Sequence, residues 1–332
     1  MNSYDMVSIP GLSVVIPCYK VTRHIMDVID AMPAIVERIY VIDDCCPDKS
    51  GDFIRAHNKD PRVTVLVNEK NKGVGGAVMT GYKAAMADNM LITVKVDGDG
   101  QMDPALIPEF IEPILSGEAD YTKGNRFYNL EEIHQMPKIR LIGNAVLSLM
   151  NKLSSGYWDV FDPTNGYTAI HVDVLRKMPF AKISERYFFE SDMLFRLNTL
   201  RAKVVDIPMD AHYGSEESHL KIGTIIGDFT KKNVRNTFKR IFYNYFLRDM
   251  SIASIELVVG TCLLTFGAGY GFYHWVKSAQ DGLATPTGTV MLAVLPIVIG
   301  VQLLLSFLAY DIEHVPRRRI HKKNMILDGR NK

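Results

Sequence analysis

The residues best suited to chemistry lie at 91–104, LITVKVDGDGQMDP. A β-branched run, Ile92, Thr93, Val94 and Val96, leads straight into Asp97-Gly98-Asp99-Gly100-Gln101. Such a run reads as a buried strand, with Lys95 as its exception. The two glycines let the backbone turn sharply and leave room for a large ligand. Two carboxylates and an amide oxygen crowded at a strand end make a hard oxygen site of the kind Mg²⁺ or Mn²⁺ prefers. So few protein ligands leave positions open for water and substrate phosphates. An Asp-Gly turn closing a hairpin would use the same residues, and the motif by itself leaves both readings open.

The ends of the other strands bear on that choice. Segments 12–16, 39–42, 63–67 and 91–96 are each apolar enough to be strands buried on both faces. Helical patterns at 21–31, 50–57 and 76–87 separate them. Strands alternating with helices predict right-handed βαβ units and a mainly parallel sheet. Ligands of such sheets bind beyond the carboxyl ends of the strands. There the sequence delivers Pro17-Cys18-Tyr19-Lys20, then Asp43-Asp44, then Asn68 with Asn71-Lys72-Gly73, and finally Asp97-Gly98-Asp99. Strands commonly end in turn residues, but paired acids at two ends ask for more than a turn. Gly73-Val74-Gly75-Gly76 at a helix start could offer N–H groups to an anion, or could allow close helix–loop contact. It does not fit the dinucleotide pattern GxGxxG.

Further along, 104–115 reads as a helix opened by Pro, and Gly124-Asn125-Arg126 as a strand end carrying a cation. Arg140 opens a helical stretch, 140–153. Asp159 and Asp162 stand in WDVFDPTNGYTAI, which ends in another β-like run, and 204–208 looks like a last strand. Glu190 and Asp192 share an apolar helical segment, YFFESDMLFRL. Acids two apart on a helix point about 200° apart, so one of them at most faces a pocket. His212 and His219 lie in a polar loop and read as solvated rather than metal-binding.

Charge over the 332 residues is balanced, with 38 Lys+Arg against 37 Asp+Glu, which gives no footprint for nucleic acid. Cys18, Cys45, Cys46 and Cys262 form no CxxC pair and read as reduced thiols. The first residues, MNSYDMVSIPG, lack a basic stretch followed by an apolar one, so a cytosolic catalytic portion is expected. The character changes at about Thr224. Segment 224–248 mixes Phe, Tyr and Ile with Lys231, Lys232, Arg235, Lys239, Arg240 and Arg248, a basic amphipathic helix suited to a headgroup layer. Two apolar spans follow, 252–276 and 287–310, each long enough to cross a bilayer. Basic clusters flank the pair, the second being Arg317-Arg318-Arg319 with Lys322-Lys323. The positive-inside rule then predicts a hairpin with both flanks in the cytosol. Glu256, Gln302 and Gly267-x-x-x-Gly271 fit contacts between the spans or between protomers of a homo-oligomer.

IPCYK, VIDD, NKGVGGAVMTGYKAA, DGDGQMDP, GNRF and DPTNGY, in this order and spacing, resemble the family 2 glycosyltransferases of GT-A fold. Within that family they are similar to the polyprenyl-phosphate glycosyltransferases, such as the dolichyl-phosphate mannose synthases. The resemblance covers about residues 10–225. It implies a GT-A domain over 1–223, interface helices over 224–250, two transmembrane helices within 251–311 and a basic cytosolic tail over 312–332. It further implies that Pro17, Tyr19, Asn71, Lys72, Gly73, Asp97 and Gly98 surround a UDP- or GDP-sugar, and that Asp43 or Asp44 reads the base. Asp97, Asp99 and Gln101 would hold Mg²⁺ or Mn²⁺ on the diphosphate. Arg126 and Arg140 would lie near phosphates, Asp162 near sugar and acceptor, and Glu190 and Asp192 where relatives carry a catalytic acidic motif. Cys45-Cys46-Pro47 and Gly124-Asn125-Arg126 depart from the family's Gly-Ser-Thr and Gly-Ser-Arg, and the loop at 212–221 lacks an Arg found in many synthases.

The function so implied is inverting transfer of a sugar to a polyprenyl phosphate at the cytosolic face of the plasma membrane. A processive polysaccharide synthase is the nearest alternative, but it calls for more spans and a QxxRW motif absent from this sequence. A non-catalytic scaffold that binds nucleotide sugar is the other.

Overall fold

The computed structural model describes residues 9–128, 138–210 and 222–321, the side chains of 138–142 and 222–226 excepted. His212, His219 and the side chain of Arg140 therefore lie outside the described residues. Seven strands form one sheet: β1 (Leu12–Cys18), β2 (Arg38–Asp43), β3 (Val63–Val67), β4 (Ile92–Lys95), β5 (Tyr121–Asn125), β6 (Thr168–His171) and β7 (Val204–Pro208). Their order is β3-β2-β1-β4-β6-β5-β7. β6 alone runs against its neighbours; the other pairings are parallel. The chain steps outward from β1 to β3 and then returns to place β4 on the other side of β1. That reversal opens a crevice beyond the ends of β1 and β4.

The apolar runs of β1 and β4 supply the core, where Val14, Ile16, Val94 and Val96 pack with Ile25, Ile29, Phe110 and Ile111. Contrary to the expectation of burial on both faces, β3 is only partly covered, and Val67 is 54% exposed. It forms one edge of the sheet and so has a single neighbouring strand.

The helices of the first half are α1 (Ile25–Asp30), α2 (Ser50–His57), α3 (Gly73–Ala87) and, after a 3₁₀ turn at Pro104–Leu106, α4 (Ile107–Leu115). α1 is shorter than the apolar pattern at 21–31, and His24 gives its start no side-chain cap. α3 begins three residues before the expected 76, although Lys72 at its start gives no side-chain cap either. The cap comes from elsewhere: Asp44 accepts from Lys72 N at 3.0 Å and Gly73 N at 2.7 Å. A carboxylate there satisfies N–H groups the helix leaves unpaired and suits its dipole. α5 (Lys138–Ser155), α6 (Val172–Leu175) and α7 (Phe189–Leu200) complete the second half.

α8 (Ile222–Phe242) and a π-helical turn at Tyr243–Arg248 lead to α9 (Ile252–Asp281) and α10 (Thr287–Glu313). α9 and α10 are long and apolar enough to cross a membrane, with mean hydropathy of 1.7 and 2.5 over their most apolar windows. Gly267 packs on Ala293 and Ile297, and Ser306 donates to Glu256 at 2.8 Å. Gly267 and Glu256 thus serve contact between the two helices, whereas Gln302 is exposed.

The chain divides into two compact units, Phe238–Val315 and the remainder. The boundary between these units falls inside α8, and residues 316–321 belong to the unit that carries the sheet. They are not a free tail. Asp120, fully buried at the start of β5, accepts from Lys203 N at 2.8 Å, Ile320 N at 2.9 Å, His321 N at 3.0 Å and His321 Nδ1 at 2.7 Å. The His321 ring stacks on His171 with centroids 4.4 Å apart. Asp120→Ala would strand three backbone N–H groups, at about 1–3 kcal/mol each if they stayed buried. Release of 316–321 into water is the less costly response. The expected outcome is trypsin cleavage at Arg317–Arg319 at least about tenfold faster than in the unmodified chain, with the sheet-bearing unit intact. An unchanged cleavage rate would refute this docking.

Candidate active site

The crevice is walled by loops that buried acids hold in place. Asp43 accepts from Cys46 N at 2.7 Å and Gly51 N at 2.6 Å, which fixes the 45–51 turn and the start of α2. Asp44 fixes the opposite loop, taking Asn68 Nδ2 at 2.7 Å besides Lys72 N and Gly73 N. Both acids are at most 4% exposed. The loops themselves present Tyr19, 45% exposed, and the exposed Asn71. Pro17 lies within β1 beside Ile42 of β2. The glycines of the 73–76 stretch serve close contact: a Cβ on Gly75 would stand 2.6 Å from Phe189, and Gly76 N donates to Glu185 O at 2.9 Å.

Beyond β4, Gly98 packs so tightly on Val21 and Ile25 that a Cβ would stand 3.2 Å from each. Gly100 has φ +78°, a conformation that suits glycine, and Gln101 N donates to Asp99 Oδ1 at 3.0 Å. Lys95 sits just before this turn and is 1% exposed. Its Nζ lies 2.8 Å from Asp97 Oδ1 and 3.5 Å from Glu190 Oε1. The first contact is charge to charge, since its angle leaves Asp97 Oδ1 without a directed hydrogen bond. Burial alone would lower the Lys95 pKa, but Asp97 and Glu190 reverse the effect and raise it. Lys95 is a permanent cation here.

Among the described residues no three His, Cys, Asp or Glu side chains gather as a ready metal cage. The donor set nevertheless fits a divalent ion shared with a diphosphate. Asp97 and Asp99 supply hard oxygens, and the Asp97 side chain is 27% exposed although its Oδ1 is buried against Lys95.

A second charged centre stands where β5 ends. Asp162, fully buried, grips Arg126 through Nε at 2.7 Å and Nη2 at 3.2 Å. The Arg126 side chain remains 32% exposed. It lines a cleft with Phe127, Asn144, Ser148, Phe161 and residues 162–164. Lys123 is buried behind it and donates from Nζ to Asn165 O. Burial pulls the Lys123 pKa down to about 8, against the pull of Glu190 and Asp162.

Glu190 and Asp192 part company as the helical spacing requires. Glu190 faces Lys95, whereas Asp192 turns away, accepting from Ser184 N at 2.9 Å and Asn236 Nδ2 at 3.0 Å. The structure thus brings together Asp97, Lys95 and Glu190, and separately Arg126 and Asp162. Lys95, Lys123 and Gly166 were not among the residues the sequence pointed to. The one available signal was a lysine interrupting an otherwise apolar strand.

Residues 13–178 match the family described as glycosyl transferase family 2. The chain is similar to a UDP-N-acetylglucosamine–dolichyl-phosphate N-acetylglucosaminyltransferase of Methanococcus voltae, 28% identical over 250 residues that cover 71% of this chain and 95% of that protein. It is also similar to an undecaprenyl-phosphate mannosyltransferase of Micrococcus luteus, 30% identical over 182 residues, 54% of this chain and 73% of the relative. Among solved structures, glucosyl-3-phosphoglycerate synthase of Mycobacterium tuberculosis in complex with Mn²⁺, UDP and glucosyl-3-phosphoglycerate superposes with a TM-score of 0.51. That likeness has 18% identity, covers 70% of this chain and 80% of the other, and is one of fold.

The contacts of Asp192 make it a fastening between the 184 turn and α8. Asp192→Ala should therefore lower stability by about 1–3 kcal/mol, the cost of stranding a buried donor. Thermal melting in detergent reads this directly, and an unchanged melting temperature would contradict the assignment.

Proposed function

This chain belongs to glycosyl transferase family 2, and we propose that it moves a sugar from a UDP- or GDP-sugar to a polyprenyl phosphate, with inversion, at the cytosolic face of a membrane. It is a glycosyltransferase of GT-A-like fold, related to the polyprenyl-phosphate sugar transferases. The observation that carries the acceptor class is the grip of buried Asp162 on Arg126 at the cleft wall. A guanidinium held in a fixed plane by a buried carboxylate, its side chain 32% exposed at the cleft wall, suits a phosphate.

The acceptor's chemistry agrees with a site rich in fixed cations. A phosphate monoester has a second pKa of about 6, so it is mostly dianionic at neutral pH. Little proton transfer is left for a general base. The larger task is to hold two anionic substrates together, and Arg126, with Arg140 on α5, takes that role. Asp162 keeps Arg126 aimed. On the donor side, Pro17 and Tyr19 at the end of β1, Asn71, Lys72 and Gly73 in the loop that Asp44 fixes, and Gly98 in the turn after β4 would surround base and diphosphate. Asp97, Asp99 and Gln101 would hold Mg²⁺ or Mn²⁺ there, which when bound neutralises charge developing on the leaving diphosphate.

α8 supports contact with lipid. Its exposed face carries Val234, Phe238 and Phe242, 48%, 70% and 57% exposed, at a spacing of four residues. Exposed lysines and an arginine, Lys231, Arg235 and Lys239, flank that stripe. An acceptor whose isoprenoid tail stays in the bilayer would meet the site from such a surface.

The deciding experiment incubates the detergent-purified chain with a panel of nucleotide sugars, with and without undecaprenyl phosphate. Nucleoside diphosphate release that requires the lipid phosphate is expected; release that ignores it but requires another acceptor would overturn the reading. In the same assay, Asp97→Asn and Asp99→Asn should each cut kcat by about 10³-fold with melting temperature retained. Arg126→Met should cost about 10²-fold, more than Asp192→Asn. Abolition of turnover by Asp192→Asn alone, with both substrates still bound, would restore a general base.

Topology has its own test. The chain leaves the sheet-bearing unit at 238 and rejoins it at 316, so any crossings between must be even in number. In a background with the exposed Cys45 and Cys262 replaced, a cysteine at Ser278 should react with an impermeant reagent in intact cells, and one at Arg317 should not. The reverse pattern would refute a cytosolic site.

A further inference from the structure

We propose that Lys95 is a positioning residue of the donor site: its ammonium pins one oxygen of Asp97 and ties it to Glu190, so that the other oxygen faces the ligand. The inference rests on the reading of Asp97 as part of a divalent-cation and diphosphate site.

Lysine is a costly choice at this position. β4 is the middle strand of the sheet, and Lys95 pairs with Val15 on one side and Thr168 on the other. A buried ammonium must be answered by opposite charge, and an apolar residue would serve the strand better. The chain answers it from two directions. Asp97 comes from the turn after β4, and Glu190 from the first turn of α7, almost a hundred residues later; their oxygens lie 2.8 Å and 3.5 Å from Nζ.

Space for the pair is built in. A Cβ on Gly166 would collide with Lys95 Nζ and stand 2.7 Å from Asp97 Oδ2. Gly166 does not adopt the left-handed conformation that favours glycine. What the position requires is room for the ammonium and the carboxylate, not backbone freedom. Asp97 Oδ1 is thus committed to Lys95, which leaves Oδ2 to face the ligand. Without Lys95, Asp97 and Glu190 would meet as like charges and swing apart.

A mere counter-charge would act in the opposite sense. Removing a cation 2.8 Å from Asp97 makes the site more negative, which by Coulomb attraction alone tightens binding of a divalent ion. Removing a positioning group loosens it, and losing a group that orients a metal ligand typically costs about 10–100-fold in affinity.

The test measures Mn²⁺ binding by electron paramagnetic resonance on the detergent-purified full chain in the presence of UDP or GDP, against a protein-free control with the same nucleotide. The unmodified chain is compared with Lys95→Met and Gly166→Ala, and melting temperatures report folding. Gly166→Ala leaves every charge in place and displaces the pair. Weaker Mn²⁺ binding in both variants, by about tenfold or more, is expected. Unchanged or tighter binding in Lys95→Met, or unchanged binding in Gly166→Ala, overturns the proposal. Should Lys95→Met fail to fold, Gly166→Ala decides alone. Absence of Mn²⁺ binding by the unmodified chain would remove the divalent-cation reading and this inference with it, and is told apart because it needs no variant.

Discussion

A carboxylate leaves water only where N–H groups or cations take the water's place. This chain buries Asp43, Asp44, Asp120, Asp162 and Asp192, each at most 4% exposed, and the rest of the structure hangs on how they are answered. Asp43 gathers the turn before α2, and Asp44 gathers the loop that starts α3. Asp120 holds residues 203 and 320–321 together. Asp162 holds Arg126, and Asp192 joins the 184 turn to α8. These partners are loops and ends, the parts of a chain that apolar burial fixes least. The hydrophobic core builds the sheet, and the buried acids place what surrounds its functional edge.

The same constraint explains why the exposed chemistry is so sparse. Asp43 and Asp44 both spend their carboxylates on backbone N–H groups of the surrounding loops. The charged groups of the two centres that keep exposure are Asp97, with 27% of its side chain open, and Arg126, with 32%. Each is backed by a buried group. Lys95 stands behind Asp97, and Asp162 behind Arg126, while Lys123 holds the 162–166 loop that touches both centres. Charges fixed in position in this way cost no reorganisation when charge develops during a reaction.

Much of this was legible in the sequence, and the exceptions have physical causes. β1, β2, β4 and β7 are short apolar runs bounded by turn residues, and α2 matches its pattern at both ends. The exposure of β3 was not legible, because an edge is a property of strand order and not of composition. The early start of α3 depends on Asp44, 28 residues upstream, and no local cap announces it. Arg317-Arg318-Arg319 reads as a solvated basic run, yet the contact that docks the segment is made by the backbone of Ile320 and His321. The acids of the site stand out as motifs, whereas their partners do not. Lys95 shows only as an interruption of an apolar run, and which face of α7 turns to the crevice depends on elements far away in the chain.

α8 carries this logic to its limit. An ordinary amphipathic helix hides its apolar stripe and wets its polar one. Here Asn233, Asn236 and Arg240 are buried while Phe238 and Phe242 are exposed. Such a helix is stable only if its polar side finds partners within the protein and its apolar side finds something other than water. Toward the first condition, Ser154 donates to Asn233 Oδ1, Asn236 Nδ2 donates to Asp192, and Arg240 pairs with Asp311 at 2.6 Å, while Asn233 Nδ2 and Asn236 Oδ1 stay without a partner among the described residues. The second is what a lipid surface supplies. Asp192 therefore stands between two demands on α7. Two residues before it, Glu190 turns to Lys95, while Asp192 turns the other way to fasten α8. One helical turn thus serves both the charged centre and the element suited to the membrane, and the 200° between the two acids is what makes this possible.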